Sequence, residues 1–244
     1  NISKVFRLHE DRPASIKEHL LKFGRNPKRD FQALHPFDLT VPSGQTLGIL
    51  GHNGSGKSTL LKCISGILKP TTGTIQLRGR LASLLELGAG FHPELTGREN
   101  VYINAAFLGI KRSEIEKRFD DIVDFAELGQ FIDEPVKHYS SGMYVRLGFA
   151  VAVNLDPDVL LVDEVLAVGD EVFQRKCLDR IRQFQQEGRT ILVVTHGADL
   201  VRQVCHRAIV LHHGEMVADA APGEAIQIFR EHLQWQMVDP SAPE

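Results

Sequence analysis

No apolar run in this 244-residue chain approaches the ~18 residues that a membrane-spanning helix needs. Runs such as Val159–Val162 and residues 191–194 are strand-sized. Cysteine is scarce, and Cys63, Cys177 and Cys205 stand far apart. An odd number at wide spacing makes neither a disulfide framework nor a zinc motif, so the three read as buried free thiols in a reducing compartment. Neither sign of charge is in excess: 28 Lys+Arg against 31 Asp+Glu leave a net charge of -3. That balance gives no global reason to expect nucleic-acid binding. The 21 glycines and 11 prolines are too few for a collagen-like or low-complexity chain, and a 43% hydrophobic content excludes disorder. No secretory pattern opens the sequence. It starts at Asn1 rather than Met, so an upstream segment is expected, and Asp239-Pro240-Ser241-Ala242-Pro243-Glu244 reads as a tail or a cut point.

What remains is an ordinary globular composition, with room for one large domain carrying a sizeable subdomain. Residues 3–9 read as a strand. Residues 15–23 place Ile16, Leu20, Leu21 and Phe23 at helical spacing, with Ser15 as N-cap and Gly24 as stop. Residues 31–41 are extended, and 46–50 form an apolar strand running into a Gly-rich loop. A helix over 57–66 and a strand over 73–80 follow. Residues 98–107 and 113–127 carry helical periodicity, the second through Ile115, Phe119, Ile122, Val123, Phe125 and Ala126. Strands return at 159–162, 191–195, 208–212 and 215–219, with helices at 173–186 and 200–205 and a His213-Gly214 turn. A last amphipathic helix over 224–235 shows Ile226, Phe229 and Leu233 on one face, as core packing would require. Short buried strands alternating with helices imply an α/β fold with a parallel sheet covered on both faces. The all-helical stretch from about 88 to 156 reads as an insert into it.

Gly51-His52-Asn53-Gly54-Ser55-Gly56-Lys57-Ser58-Thr59 matches G-x-x-x-x-G-K-[ST] in full, between a strand and a helix. The glycines let backbone N–H groups turn inward around phosphate oxygens, and the helix N-terminus adds partial positive charge. Lys57 reaches the β- and γ-phosphates, and the Ser58 hydroxyl can ligate Mg²⁺. This is a P-loop NTPase fold. A second apolar strand ends in Asp163-Glu164. Asp163 suits a Mg²⁺-holding Walker-B acid, and Glu164 suits a base that polarises the attacking water.

With these elements placed, the chain resembles the ATP-binding cassette family, the nucleotide-binding subunits of ABC transporters. Tyr139-Ser140-Ser141-Gly142-Met143 is a variant of the LSGGQ signature, with Tyr139, Ser141 and Met143 in place of Leu, Gly and Gln. Ala167-Val168-Gly169-Asp170 sits where the D-loop lies, and Thr195-His196 where the switch histidine lies. The resemblance runs from residue 3 to about 227. It implies a head-to-tail cassette dimer holding two ATP molecules. Ser140 and Gly142 would then donate hydrogen bonds to the γ-phosphate on the partner's P-loop, Asp170 would cross the interface, and His196 would touch the γ-phosphate. It also implies an aromatic stacked on adenine near the end of the first strand, for which Phe6 is the candidate and His9 the fallback.

The segment from Leu84 to Asn100, including Gly88-Ala89-Gly90-Phe91-His92-Pro93, is similar to the polysaccharide-export subfamily, whose members export O-antigen, teichoic acid, capsule or lipid-linked galactan. No Gln lies between Gln76 and Gln130, and Glu86 is the nearest polar candidate for the Q-loop position that senses Mg²⁺. The 15–23 helix, with Lys17 and Lys22 and with Arg25, Lys28 and Arg29 after it, is similar to the extra helix of that subfamily. It would sit near anionic lipid headgroups or substrate diphosphate. About twenty residues follow the last strands before the tail, too few for a further carbohydrate-binding domain.

The expectations are therefore an ATP-binding RecA-like/β core over 1–87 and 157–223, a helical subdomain with the signature over 88–156, and a C-terminal helix and tail over 224–244. The function expected is ATP hydrolysis with Mg²⁺, driving export of a lipid-linked polysaccharide. The partners expected are a second copy of the chain and two copies of a separate transmembrane permease, at the cytoplasmic face of the plasma (inner) membrane. The alternatives are an exporter of another substrate such as a lipid or drug, a soluble ABC ATPase acting on DNA or the translation machinery, and a catalytically dead ATP sensor. Long coiled coils, zinc insertions and tandem cassettes do not fit in the chain, which weighs against the second; Lys57 and Glu164 weigh against the third.

Overall fold

The computed structural model of the chain describes residues 1–8, 29–84, 90–107, 109–154, 156–163 and 170–238, with backbone alone at 8, 29 and 234–238. The helix expected over 15–23, His9, Glu86, Glu164 and Val168-Gly169 lie outside the described residues. In chain order the elements are β1 (Ile2–Leu8), β2 (Arg29–Phe37), β3 (Thr46–Leu50), α1 (Lys57–Ile64), β4 (Leu81–Ser83), α2 (Gly97–Phe107), α3 (Arg112–Ala126), a 3₁₀ turn (Val136–His138), α4 (Ser141–Asn154), β5 (Val159–Val162), α5 (Glu171–Gln186), β6 (Thr190–Thr195), α6 (Ala198–Val204), β7 (Arg207–His212), β8 (Glu215–Ala220) and α7 (Pro222–Val238).

Six strands form one sheet in the order β4-β5-β6-β3-β7-β8. The first five run parallel, and β8 closes the edge antiparallel to β7. β1 and β2 pair separately as an antiparallel ribbon. Every residue of β3, β5 and β6 is buried, which is why they read as unbroken apolar runs rather than alternating ones. Side chains still alternate between faces. Leu47, Ile49, Leu161 and Ile209 pack on one face against Leu60 and Leu61 of α1 and Leu34 and Phe37 of β2. Leu160, Val162, Ile191 and Val193 pack on the other against Phe149 of α4 and Phe173, Ile181 and Phe184 of α5. Ile226 and Phe229 of α7 join Leu50, Val210 and Val201 in a further cluster, with Leu233 packed on it, so the apolar face of α7 serves the core.

The helical stretch carries its own core. Val101, Ala105, Ile115, Phe119, Ile122, Leu147 and Val151 from α2, α3 and α4 pack together. Phe125 joins this core to the main one, stacked on Phe149 at 5.8 Å and edge-on to Phe173 at 5.9 Å between centroids. α2 starts at a capping box. Thr96 Oγ1 accepts from Glu99 N (3.1 Å), and Glu99 Oε2 accepts from Thr96 N (2.9 Å). Behind it, fully buried Asn100 accepts from His92 N (2.6 Å) and donates to the carbonyls of His92, Leu95 and Thr96 at 3.2, 3.1 and 2.9 Å. One amide thus ties His92, Leu95 and Thr96 together, supplementing the backbone bonds that the three carbonyls accept from Leu95 N, Val136 N and Asn100 N. Asn100→Leu removes the acceptor for the His92 N–H and one of two donors to each of the three carbonyls, and is expected to lower stability by about 2 kcal/mol. Denaturant unfolding measures this, and a loss under about 0.5 kcal/mol would contradict it.

The strand expected over 73–80 is not formed. Gly73 (φ 80°) and Gly79 (φ 95°) bound that segment, and the nearby edge of β1 is already engaged. Ser3 exchanges bonds with Thr71 and Thr72, Val5 N donates to Thr71 Oγ1 (2.9 Å), and Lys4 Nζ donates to Lys69 O (2.8 Å). Its alternating Thr74, Ile75, Gln76, Leu77 and Arg78 imitate a strand that has no partner edge. The three cysteines are free, Cys63 and Cys177 buried and Cys205 partly so. Burial pushes all three thiols up, Cys177 and Cys205 to about 12.

Candidate nucleotide-binding site

Central β3 delivers residues 51–56 at its C-terminal end, directly into α1. Two glycines make the loop possible. A Cβ on Gly56, at φ 101°, would lie 2.7 Å from the Ala33 carbonyl oxygen. A Cβ on Gly51 would lie 2.2 Å from Ser55 Oγ. Backbone bonds tie the loop to its neighbours: Gly214 N donates to Ser55 O (3.0 Å), and His35 N donates to Gly214 O (2.8 Å). Lys57 opens α1 and is 7% exposed. Its ammonium donates to the Gly51 and His52 carbonyls at 2.7 and 2.8 Å, which holds the positive charge over the loop. No acidic side chain lies in the first turn of α1 to neutralise the helix N-terminus.

A cavity of ≈ 320 Å³ opens here, lined by Phe31, Ala33, Asn53, Gly54, Gly56, Lys57, Ser58, Thr59 and Asp163. The fold therefore brings Asp163, at the end of β5, to the loop after β3, with β6 between the two strands. Backbone amides, a buried ammonium, two hydroxyls and one carboxylate share one concave surface, a set suited to a polyphosphate with a hard divalent cation. Gly51, His52 and Ser55 belong to the loop but do not line the cavity. Ser55 is fully buried with its Oγ unpartnered, and the His52 ring packs edge-on against His212 and His213.

The cavity has an aromatic in its wall, and it comes from β2 rather than from β1. Phe31, half exposed on β2, lines the cavity; Phe6, its cross-strand partner on β1, does not, and lies under Lys4 Nζ at 5.1 Å. Residues 31–41 read as extended in the sequence, but nothing in the spacing showed that strand crossing the loop.

Four further candidates are not among the residues lining this cavity. His196 is exposed, just beyond buried Thr195, whose Oγ1 accepts from Gly197 N (2.8 Å). Ser140 caps α4, its Oγ accepting from Met143 N (3.2 Å). A Cβ on Gly142 would meet only Ser140 Oγ, at 3.8 Å, so the N-terminus of α4 is open. Asp170 caps α5, accepting from Phe173 N (2.9 Å), and also pairs with Arg146 of α4. Arg146 in turn donates to Glu127 (2.9 Å) and covers the Phe173 ring at 5.0 Å. Asp170 is thus engaged inside the chain, bracing the signature helix. Tyr139 anchors the start of the signature. Its hydroxyl donates to the Phe131 carbonyl (2.8 Å), and burial pushes the phenol up to about 12.

A family model described as ABC transporter matches residues 34–167, more than half of the chain. The O-antigen export system ATP-binding protein RfbB of Myxococcus xanthus is 49% identical over 90% of this chain, which spans 51% of that protein. The RfbB protein of Klebsiella pneumoniae is 42% identical, with 96% of both chains covered. The teichoic acids export ATP-binding protein TagH of Enterococcus faecalis is 43% identical over 95% of this chain and 51% of its own length. This chain thus spans about half the length of two of these relatives. Among solved structures, an ATP binding subunit of an ABC transporter superposes with a TM-score of 0.75 at 22% identity, covering 96% of this chain and 100% of that one. A dimeric ATP-binding cassette bound to ADP and Pi superposes with a TM-score of 0.72 at 24% identity, covering 91% and 97%. At such identities these structures show the fold alone. With its phosphate loop, sheet order and family match all in agreement, the chain belongs to the ABC transporter family as an ATP-binding subunit.

Proposed function

We propose that this chain hydrolyses ATP to drive export of a lipid-linked polysaccharide of the O-antigen or teichoic acid type. The observation that carries the chemistry is the single cavity shared by Lys57, Ser58 and Asp163. The cargo class rests on the likeness to RfbB and TagH. The loop amides between 51 and 58 cradle the phosphates, and Lys57 places its charge on the β- and γ-phosphates. Mg²⁺ fits the donors present, the Ser58 hydroxyl and the Asp163 carboxylate, since it takes hard oxygen ligands; when bound it neutralises phosphate charge. Glu164 polarises the attacking water, and His196 holds the γ-phosphate. Glu86 is the candidate Mg²⁺ sensor.

Ser140 and Gly142 do not line the phosphate-loop cavity of their own chain. Their place is the open N-terminus of α4, a ready anion site. A second copy, packed head to tail, brings that terminus to the γ-phosphate, so two cassettes complete two sites. Asp170 keeps α4 and α5 in register as the copies meet. The helical unit over 88–156 moves as the subdomain that carries the signature. Among the described residues no helix is long and apolar enough to cross a membrane; the path for the glycan belongs to a separate permease, with this chain at its cytoplasmic face.

The test is ATPase activity of the chain co-expressed with its permease, with and without lipid-linked glycan. Stimulation by glycan is expected, and robust turnover with no glycan response would remove the cargo assignment. Phe31→Ala is expected to weaken ATP binding about 5–10-fold by removing adenine stacking, with Phe6→Ala within twofold of the parent. A larger loss in Phe6→Ala than in Phe31→Ala would return the stacking role to the first strand.

A further inference from the structure

Four histidines from distant parts of the chain meet behind the phosphate loop. His52 comes from the loop itself, His212 from the end of β7, His213 from the β7–β8 turn and His232 from α7. Ring centroids are 5.0 Å apart for His52 and His212, 4.8 Å for His52 and His213, 4.3 Å for His212 and His213, and 4.7 Å for His212 and His232. One ring nitrogen from each of His52, His212 and His213 lies within 4.8 Å of the other two.

The hydrogen bonds settle which nitrogens are available. His52 Nδ1 is 2.6 Å from the Asn53 carbonyl oxygen. A carbonyl only accepts, so Nδ1 carries the proton and Nε2 presents a bare lone pair. That Nε2 is buried and has no hydrogen-bond partner, and neither has buried His212 Nδ1. A histidine whose N–H is fixed on a carbonyl while its other nitrogen faces more imidazoles has the form of a metal ligand. His213 sits at φ 46°, a conformation that non-glycine residues seldom adopt. The bonds of Gly214 to Ser55 and His35 hold the turn there. His213 is exposed, which leaves a way in for an ion.

We infer that His52, His212 and His213 form a binding site for a divalent transition-metal cation of the zinc type, with His232 packed beside His212 at its margin and water open to the fourth position. Imidazole nitrogens without carboxylates select zinc, cobalt or nickel over magnesium and calcium. Tetrahedral zinc with bonds of ~2.0–2.1 Å sets nitrogens about 3.3 Å apart, so modest side-chain rotation closes the observed spread. The bound ion would tie the phosphate loop to the end of β7 and the β7–β8 turn. It is distinct from the Mg²⁺ proposed for the ATP cavity, whose donors are the oxygens of Ser58 and Asp163 in a wall that none of these histidines joins.

The test uses the tag-free full chain, titrated with Co²⁺ alone and followed by visible absorption, with Zn²⁺ as competitor. One Co²⁺ per chain is expected, with the intense visible bands of a four-coordinate site, displaced by Zn²⁺ but not by Mg²⁺. His213→Asn suits the left-handed turn and keeps the fold; it is expected to weaken Co²⁺ binding at least about 10-fold. His212→Gln should do the same, whereas His138→Gln, exposed and remote in the helical unit, should leave binding unchanged. Zn²⁺ should raise the Tm of the parent chain and not that of His213→Asn. ATP binding by each variant confirms an intact phosphate loop. Absence of stoichiometric bands in the parent chain, or equal affinity in His213→Asn, would overturn the site.

Discussion

Lys57→Ala is expected to weaken ATP binding by about 100-fold or more. Its ammonium is buried over the loop, two bonds from the backbone already pointing it at the cavity mouth. A charged donor of that kind contributes about 1.5–3 kcal/mol for each hydrogen bond to a phosphate oxygen, and with ATP bound two of its three N–H groups turned to phosphate, one staying on a loop carbonyl, correspond to a factor of at least 100. The substitution also frees the Gly51 and His52 carbonyls, which adds loop disorder to the lost charge. Lys57→Arg should fail as well, because the planar guanidinium cannot fit the space that the ammonium occupies. Equilibrium binding of a fluorescent ATP analogue measures the effect, with circular dichroism to show that the fold persists. Affinity within threefold of the parent would remove Lys57 from phosphate binding, and with it the reading of the cavity.

The parallel strands were legible because burial on both faces erases alternation. β3 and β5 have the boundaries that their apolar runs imply. The helices of the insert were legible through Ile115, Phe119, Ile122 and Val123, all buried as their spacing requires. Residues 73–80 show the limit of that logic. Alternation reports a chain able to be a strand, but only a free neighbouring edge makes it one, and β1 spends that edge on Thr71 and Thr72. The aromatic in the cavity wall shows another limit. Phe6 and Phe31 face each other across β1 and β2, and which of them overlies the phosphate loop depends on how the ribbon packs, not on local pattern.

Tyr139 looks like a plain departure from the LSGGQ signature, yet it has a local cause. The start of α2 is glycine: a Cβ on Gly97 would lie 2.2 Å from the Tyr139 hydroxyl. The larger side chain occupies that space and reaches the Phe131 carbonyl. The histidine cluster was illegible altogether, since residues 52, 212, 213 and 232 share no spacing that a motif could encode. The phosphate loop and the acid ending β5 each carry a local pattern, so their meeting could be read from sequence, whereas the four histidines carry none.

Glu164→Gln is expected to lower ATP hydrolysis by about 10²–10⁴-fold, the usual contribution of a general base, while ATP binding stays within about threefold. The substitution keeps the side chain's shape and removes only the charge proposed to polarise water. Asp163 is the informative contrast. It lines the cavity with Ser58, so Asp163→Asn should weaken Mg²⁺-dependent binding as well as hydrolysis, whereas Glu164→Gln should separate the two. If two copies close on ATP as proposed and hydrolysis reopens them, the Glu164→Gln chain should also accumulate as a dimer in ATP and return to monomer in ADP. Single-turnover hydrolysis and size-exclusion chromatography read both effects. An unchanged hydrolysis rate would take the base away from Glu164. A slow but monomeric Glu164→Gln chain would leave the base in place and remove the second copy from the trapping step, because the γ-phosphate would then be held by one chain alone.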